Sequence, residues 1–244
     1  ATPSGARPHW LADRYPEVLR VNERRERALF GRRHNHCLTS PAYREKTAQI
    51  DRKLAERFGN HPAVRMWHIS NEFGGDCHCP LCQQAFRDWL KERYQTIDEV
   101  NRRWNTAFWS HTYQSFDQIE SPSSIGEGSI QGLALDWRRF TSHQITDFCR
   151  AEIQALRDAG AKKPATTNFM YNYPLINYHE MARVLDVVSW DNYPQWHHQK
   201  EPVTAMKSAM QHDIMRTLKK EPFLLMESSP SSVNWVPVSR LRKP

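Results

Sequence analysis

Apolar and polar positions along the chain alternate between helical spacing and extended runs. One helical run, Ile50, Leu54 and Phe58, follows Ser40 and Pro41, a pair that is typical of a helix start. Further helices are predicted from residue 80 to about 94, around 100–104, at 133–160, around 177–183 and at 203–220. Extended apolar runs predict four strands, at 64–70, 165–169, 184–193 and 223–227. Strands that alternate with helices indicate an α/β architecture with parallel strands.

The number of predicted strands bears on the kind of α/β fold. A (β/α)₈ barrel has eight strands and about 250 residues even when compact, so four strands are too few to close one. We therefore expect the middle portion of a barrel, with long insertions such as the aromatic-rich stretch at 104–131. The chain starts in a loop-like Ala-Thr-Pro segment and ends without a closing element, which favours truncation at both ends.

Two of the predicted strands run directly into a glutamate. Glu72 follows the strand at 64–70 and Glu227 ends the strand at 223–227. Because side chains at the carboxyl ends of barrel strands converge on one mouth, we expect these distant glutamates to be neighbours. Two facing carboxylates are what cleavage of a glycosidic bond requires, and the nine tryptophans and eight tyrosines supply flat apolar surfaces for sugar rings. The sequence therefore predicts a glycoside hydrolase with these two catalytic carboxylates.

Composition and charge limit the other function classes. The net charge of +7 would suit a polyanionic partner, but Glu23 and Glu26 lie among the arginines of the densest basic patch, at 20–33. That mixture is typical of a solvated surface, so we expect no nucleic-acid partner. We find no apolar run of eighteen residues and no leader, which favours a cytoplasmic protein without membrane contact, although a missing N-terminus would leave a signal peptide open.

The cysteines predict a metal site. Four of them lie near the first glutamate: Cys37, Cys77, Cys79 and Cys82. The C-x-C-x-x-C pattern suits wrapping one ion better than forming two local disulfides, and four thiolates complete a tetrahedral zinc shell. His36 and His78 are alternative ligands, and free thiols or a disulfide are the alternative without metal. Zinc held by four protein ligands would be structural, so we expect a zinc-binding insertion at about 37–82 and no catalytic cofactor.

Motifs over the whole chain carry a family resemblance. They are the segments at 4–8, 33–37, 67–72, 77–82, 108–113, 189–194, 226–228 and 234–235. Together they resemble the glycoside hydrolase family 42 β-galactosidases. The resemblance implies a catalytic (β/α)₈ TIM barrel, of which residues 1–244 supply strands four to seven. It also implies bacterial, usually intracellular, homotrimeric enzymes that release β-D-galactose from lactose or galacto-oligosaccharides.

The resemblance also implies roles for particular residues. Glu72 matches the acid/base and Glu227 the nucleophile of a retaining mechanism. The residues matched to sugar binding are Arg33, Asn71, Trp109, Tyr193 and Trp235; the first two also hold the nucleophile, and Tyr193 hydrogen-bonds it. The cysteines matched to a zinc cluster of part of the family are Cys37, Cys77, Cys79 and Cys82.

Two alternatives differ in substrate or in class. One is a related retaining glycosidase, such as an α-L-arabinopyranosidase, whose substrate lacks the hydroxymethyl group of galactose. The other is a zinc-containing basic module that binds nucleic acid or protein. Carboxyls of Glu72 and Glu227 about 5 to 5.5 Å apart would favour a retaining glycosidase over the module. With half the barrel absent, we expect the isolated 244-residue chain to be inactive.

Overall fold

The computed structural model describes residues 1–194 and 201–229, without the side chain of Glu201. Its helices are α1 (His9–Arg14), α2 (Pro41–Phe58), α3 (Pro80–Tyr94), α4 (Ile97–Trp104), α5 (Gln131–Asp158), α6 (Tyr178–Val184) and α7 (Glu201–Lys219). Its strands are β1 (Trp67–His68), β2 (Ala165–Thr166), β3 (Asn168–Met170), β4 (Ser189–Asn192) and β5 (Leu224–Ser228). The expected parallel α/β architecture is therefore present.

The strands lie side by side in chain order. Strand β1 pairs with β2, β3 pairs with β4, and β4 pairs with β5, and every pair is parallel. Strands β2 and β3 are separated only by Thr167, so together they form the strand predicted at 165–169. Parallel strands in chain order, joined by helices, are the arrangement of a barrel wall. In the described part of the chain this wall is open, since β1 and β5 each pair with a single strand.

The strand predicted at 184–193 begins too early. Asn177 caps a helix, because its side-chain oxygen accepts hydrogen bonds from the backbone N–H groups of His179 and Glu180. That helix, α6, runs through Val184, and β4 begins only at Ser189. The run at 184–188 resembles a strand in sequence, but its first residue, Val184, is the last residue of helix α6. Strand β1 is also shorter than the predicted strand at 64–70.

Two hydrophobic cores support the functional side of the molecule. The first lies between the strands and helices α2, α5, α6 and α7, and it contains the fully buried Ile69, Phe148 and Trp190. The second surrounds the four cysteines and joins α3, α4 and α5 through Phe86 and Leu133. None of the described helices is long and apolar enough to cross a membrane.

Candidate active site

Glu72 lies in a tight turn just beyond β1. Ser70 and Glu72 both have a left-handed backbone, with φ of 53° and 45°, a region that residues other than glycine rarely adopt. The Glu72 N–H donates to Oδ1 of Asn168 at 2.8 Å, and the Ser70 N–H donates to the Thr2 hydroxyl at 2.6 Å. The turn that carries the first glutamate is therefore fixed from two sides.

Glu227 lies within β5, next to Asp191 of β4. The two residues are register partners, which puts their side chains on the same face of the sheet. The Tyr193 hydroxyl donates to Oε2 of Glu227 at 2.5 Å, which is the contact that the resemblance implied. Burial and the Glu227 carboxylate raise the pKa of Tyr193, so the phenol keeps its proton and acts as a donor.

The two glutamates converge, and a third carboxyl joins them. One oxygen each from Glu72, Asp191 and Glu227 lies within 4.8 Å of the other two. Carboxyls of retaining glycosidases are about 5 to 5.5 Å apart, whereas inverting enzymes leave about 6.5 to 9.5 Å for a water molecule. Oxygens of the two glutamates no more than 4.8 Å apart are compatible with the retaining arrangement and are short of the inverting distance.

Asn168 connects these carboxyls. Its Nδ2 donates to Asp191 Oδ2 at 2.6 Å and lies 3.2 Å from Glu227 Oε1. Its Oδ1 accepts from the Glu72 N–H at 2.8 Å and contacts Nε2 of His68 at 2.9 Å. One amide, itself only 1% exposed, therefore fixes the relative positions of groups from β1, β4 and β5.

Arg33 and Asn71 also reach the carboxyls, but their contacts differ from expectation. Arg33 forms a salt bridge with Glu72. The Asn71 side chain is oriented with its amide nitrogen 3.2 Å from Glu227 Oε1. In this orientation the Asn71 oxygen accepts a hydrogen bond from Arg33 Nη2 at 3.0 Å. The resemblance implied that Arg33 and Asn71 both hold the nucleophile. In the structure the guanidinium pairs with Glu72, and Asn71 is the link to Glu227.

Asp191 is nearly buried, at 5% exposure. Burial and the neighbouring Glu227 carboxylate raise the pKa of Asp191 to about 8, and Glu72 acts in the same direction. Its Oδ2 accepts from Asn168, while Oδ1 has no hydrogen-bond partner in the described part of the chain. The site therefore contains a carboxyl that favours its protonated form near neutral pH.

The sequence analysis did not single out Asn168 or Asp191 as site residues. Both are polar residues in buried strands, close to the carboxyl ends where side chains converge. That position was the available signal. Sequence alone did not show which strand residues face the glutamates, because the strand boundaries were displaced.

Trp109, a further predicted sugar contact, is not among the residues that line the cleft beside Glu72. Trp109 lies in a short 3₁₀ turn, 74% exposed, with its ring edge-to-face against Phe108 at 5.3 Å. Trp235 lies outside the described residues. An open cleft of about 660 Å³ adjoins Glu72 and Asp191, and helix α7 forms its far side with Thr204, Lys207, Ser208 and Met210.

The four cysteines form a second cluster, away from the carboxyls. Their Sγ atoms all lie within 4.8 Å of one another, and each side chain is buried. Cys37 Sγ is 3.6 Å from that of Cys79 and 3.5 Å from that of Cys82, far beyond a disulfide bond of about 2.05 Å. His36 and His78 are not members of the cluster: His36 stacks on Tyr43, and His78 bonds to Asp76 and Ser121.

Hydrogen bonding among the four thiols shifts their pKa values in opposite directions. Contacts with Cys37 and the other thiols lower the pKa of Cys79 and raise the pKa of Cys82. Further donors face the sulfurs, since the Val21 N–H donates to Cys77 Sγ at 3.5 Å and Thr39 Oγ1 lies 3.2 Å from Cys82 Sγ. The four sulfurs thus lie close together beside further donors, and a divalent cation would favour thiolate at all four positions.

Arg20 joins the two segments that carry the cysteines. Its Nε donates to the His36 carbonyl and its Nη2 to the Gly74 carbonyl, both at 2.7 Å. Gly75 has a φ of +73°, and a Cβ there would lie 1.9 Å from Arg20 Nη1, so only glycine fits. The loop after Glu72 is therefore held to the segment before α2.

Comparison with known proteins identifies the family of the chain. The family model described as beta-galactosidase, of glycoside hydrolase family 42, matches residues 1–244, and the chain belongs to this family. Over its full length the chain is 57% identical to beta-galactosidase BglY of Alicyclobacillus acidocaldarius and 53% identical to beta-galactosidase GanA of Bacillus subtilis.

Solved structures give the same result. The β-galactosidase from Rahnella sp. R3 superimposes with a TM-score of 0.96 at 54% identity over 100% of this chain, which covers 36% of that structure. The Bacillus circulans enzyme gives 0.90 at 43% identity over 98% of this chain, or 36% of its own. The chain also spans only 36% and 38% of the two curated relatives.

Proposed function

We propose that this chain carries the catalytic carboxylates of a retaining β-galactosidase. The observation that carries the proposal is the convergence of Glu72 and Glu227 oxygens to within 4.8 Å, close to the separation of about 5 to 5.5 Å in retaining enzymes. Membership of the β-galactosidase family supports galactose as the sugar. The strands, joined in chain order, would be strands four to seven of the family's (β/α)₈ barrel.

The proposed reaction proceeds by two displacements. Glu72 donates its proton to the glycosidic oxygen while the Glu227 carboxylate attacks the anomeric carbon, so the bond to the leaving group breaks and a galactosyl-enzyme forms. Glu72, now ionised, takes a proton from water, and that water attacks the anomeric carbon and releases Glu227. The Tyr193 hydroxyl, at 2.5 Å from Glu227, would hold the nucleophile in line for attack.

Substrate contacts follow from the polar groups around the pair. Arg33 and Asn71 present donors and an acceptor to the sugar hydroxyls, and the adjoining cleft of about 660 Å³ has room for a disaccharide. The proposed substrates are lactose or galacto-oligosaccharides, with Trp109 and Trp235 as further aromatic contacts. An α-L-arabinopyranoside, which lacks only the hydroxymethyl group, is the second candidate substrate.

We further propose that the four cysteines hold a structural Zn²⁺. A tetrahedral shell with zinc–sulfur bonds of about 2.3 Å requires sulfurs about 3.8 Å apart, and the two distances at Cys37 are 3.6 and 3.5 Å. The donors from Val21 and Thr39 resemble the outer contacts that stabilise metal-bound thiolates. Bound zinc would neutralise the thiolates and join the segment before α2 to the start of α3.

The roles of the two glutamates can be tested separately by chemical rescue. In the protein at its natural length, E227G and E72G should each lose at least about 1,000-fold in kcat with a dinitrophenyl β-galactoside. Azide should restore E227G by forming α-galactosyl azide, because the small anion replaces the missing nucleophile. For E72G it should form β-galactosyl azide, because azide then attacks the galactosyl-enzyme.

A matched control and a substrate comparison complete the test. E45Q, on the exposed face of α2, should retain wild-type rates. Wild-type protein should hydrolyse nitrophenyl β-galactoside faster than the α-L-arabinopyranoside and β-fucoside. Identical azide products from both glycine variants would contradict the assigned roles, and a preference for the arabinopyranoside would favour the second substrate.

A further inference from the structure

The third carboxyl of the site, Asp191, has a contact pattern of its own. Its backbone lies between β3 and β5, since it pairs in register with Met170 on one side and Glu227 on the other. Oδ2 accepts from Asn168 at 2.6 Å, but Oδ1 is buried without a partner among the residues that the structure describes. A buried carboxylate oxygen without a donor is costly, whereas a protonated oxygen becomes a donor itself.

The acceptor that such a proton would need is close by. One oxygen of Glu72 lies within 4.8 Å of an oxygen of Asp191, so a small side-chain rotation would let a protonated carboxyl of one donate to the other. Like charges this close together cannot all ionise, because each carboxylate disfavours the next. Since Glu227 must be ionised to act as nucleophile, a second permanent charge on Asp191 would oppose its function.

The charged and titratable groups around Asp191 come from several elements. Carboxyls face it from beyond β1 and from β5, and phenols from the start of α6 and from just beyond β4: these groups are Glu72, Glu227, Tyr178 and Tyr193. Arg33 pairs with Glu72, His68 shares the Asn168 amide, and Lys207 lines the same cleft. Burial and the carboxyls of Glu227 and Glu72 are the main causes that raise the pKa of Asp191.

We propose that Asp191 is a positioning residue that works as a neutral carboxylic acid, accepting at Oδ2 from Asn168 and donating from Oδ1 to the Glu72 carboxylate. The donation matters after Glu72 has given its proton to the leaving group. It then holds the ionised Glu72 in place to act as base towards water, and Asp191 keeps its own proton throughout. This inference rests on the proposed retaining function.

The variants D191N and D191A separate this role from a structural one. Asparagine reproduces the neutral acid, because its oxygen can accept from Asn168 and its amide can donate to Glu72. D191N should therefore keep kcat within about 10-fold of wild type, and its activity should extend further into the alkaline range. D191A should lose at least about 100-fold in kcat.

The kinetic pattern of D191A gives a second readout. If Asp191 supports Glu72 as a base, hydrolysis of the galactosyl-enzyme becomes slow, so kcat and KM should fall together with a dinitrophenyl galactoside. Azide should then raise kcat, because it needs no base. D213N on the exposed side of α7 is the matched control and should behave as wild type. The proposal would be overturned if D191N were as impaired as D191A and the alkaline limb of its pH–rate profile were unchanged. That result would mean that the reaction requires an ionised aspartate at position 191.

A measurement without substrate separates this proposal from the proposed function. In natural-length protein labelled with ¹³C-carboxyl aspartate, the infrared difference between wild type and D191N at pH 7 should contain the carbonyl band of a protonated carboxyl. The band should disappear on titration to alkaline pH. Its absence at pH 7 would overturn the role of Asp191 whatever the enzyme hydrolyses. Failure of the wild type to cleave any galactoside would instead refute the proposed function, and the infrared band would still decide the protonation state.

Discussion

A single amide, that of Asn168, links the side chains on which the proposed chemistry depends. It contacts Glu72 through the backbone N–H, and Asp191 and Glu227 through their carboxyl oxygens. An asparagine that follows two threonines in a short strand gives little indication of such a role. The glutamates were predictable because each directly follows or ends an apolar run, whereas the residues that align them became visible only when the strands were placed in register.

At this scale, Tyr193 offers a direct test of nucleophile alignment. Y193F removes one hydrogen bond to the Glu227 carboxylate, and bonds to charged groups contribute about 1.5–3 kcal/mol. We expect kcat to fall roughly 10- to 100-fold with little change in folding. Steady-state kinetics of the natural-length protein would measure this, with Y15F as the matched control outside the site. A Y193F variant within twofold of wild type would contradict the alignment role.

A buried acidic pair, Asp51 of α2 and Glu152 of α5, lies where these two helices pack together. Thr2 and Ser4 donate hydroxyls to the two oxygens of Glu152 at 2.9 Å, and the Thr2 N–H also donates to the His68 carbonyl of β1. The N-terminal segment therefore connects the helix pair to the strand that precedes Glu72. No feature of the sequence distinguished these acids from the many that lie on solvated helix faces.

Stability should depend on pH through this pair. Burial raises the pKa of Asp51 to about 7, and burial and Asp51 raise that of Glu152. A carboxyl with a raised folded-state pKa contributes stability below the unfolded value of about 4, and that contribution is lost as pH rises through the folded value. The melting temperature of wild type should therefore fall between pH 5 and pH 8, and that of D51N should fall less. D158N, exposed at the end of α5, is the control; equal pH slopes in wild type and D51N would contradict the idea.

Replacing one cysteine tests the zinc cluster and the segments it would join. C79S should lower zinc stoichiometry and melting temperature, because three thiolates and a hydroxyl bind zinc less well. The matched control is C149S, since Cys149 is equally buried but lies in the first hydrophobic core, outside the cluster. Metal analysis and calorimetry would measure both. An unchanged zinc content in C79S would remove Cys79 from the ligand set.

Element boundaries were less predictable than element types. The long helices at α2, α3 and α5 follow from apolar periodicity and capping, and they occur close to where that pattern put them. Strands β1 and β4 are shorter than the predicted strands, because pairing with neighbouring strands rather than the apolar run sets where they end, whereas β5 and the pair β2 and β3 lie close to their predicted ranges. Strand β1 contains two residues where seven were predicted.

For the whole molecule, the open wall of the sheet leads to one prediction. Strands β1 and β5 each have one partner in the described residues, and Leu224 and Leu225 of β5 are 38% and 43% exposed. Unpaired edges with apolar side chains promote association. We expect residues 1–244 alone to hydrolyse galactosides at least about 100-fold more slowly than the natural-length protein, because small displacements of the carboxyls cost rate steeply. Size-exclusion chromatography and parallel assays would test this, and equal specific activity would contradict it.

The left-handed turn at Ser70 and Glu72 has an evolutionary consequence. Each such φ costs about 1–3 kcal/mol in a residue with a Cβ, and glycine would adopt it without that cost. The proposed acid/base position is therefore one where catalysis would oppose thermostability. Selection for heat resistance alone would favour glycine at position 72, and a duplicated gene released from selection for hydrolysis would lose its glutamate there without losing its fold.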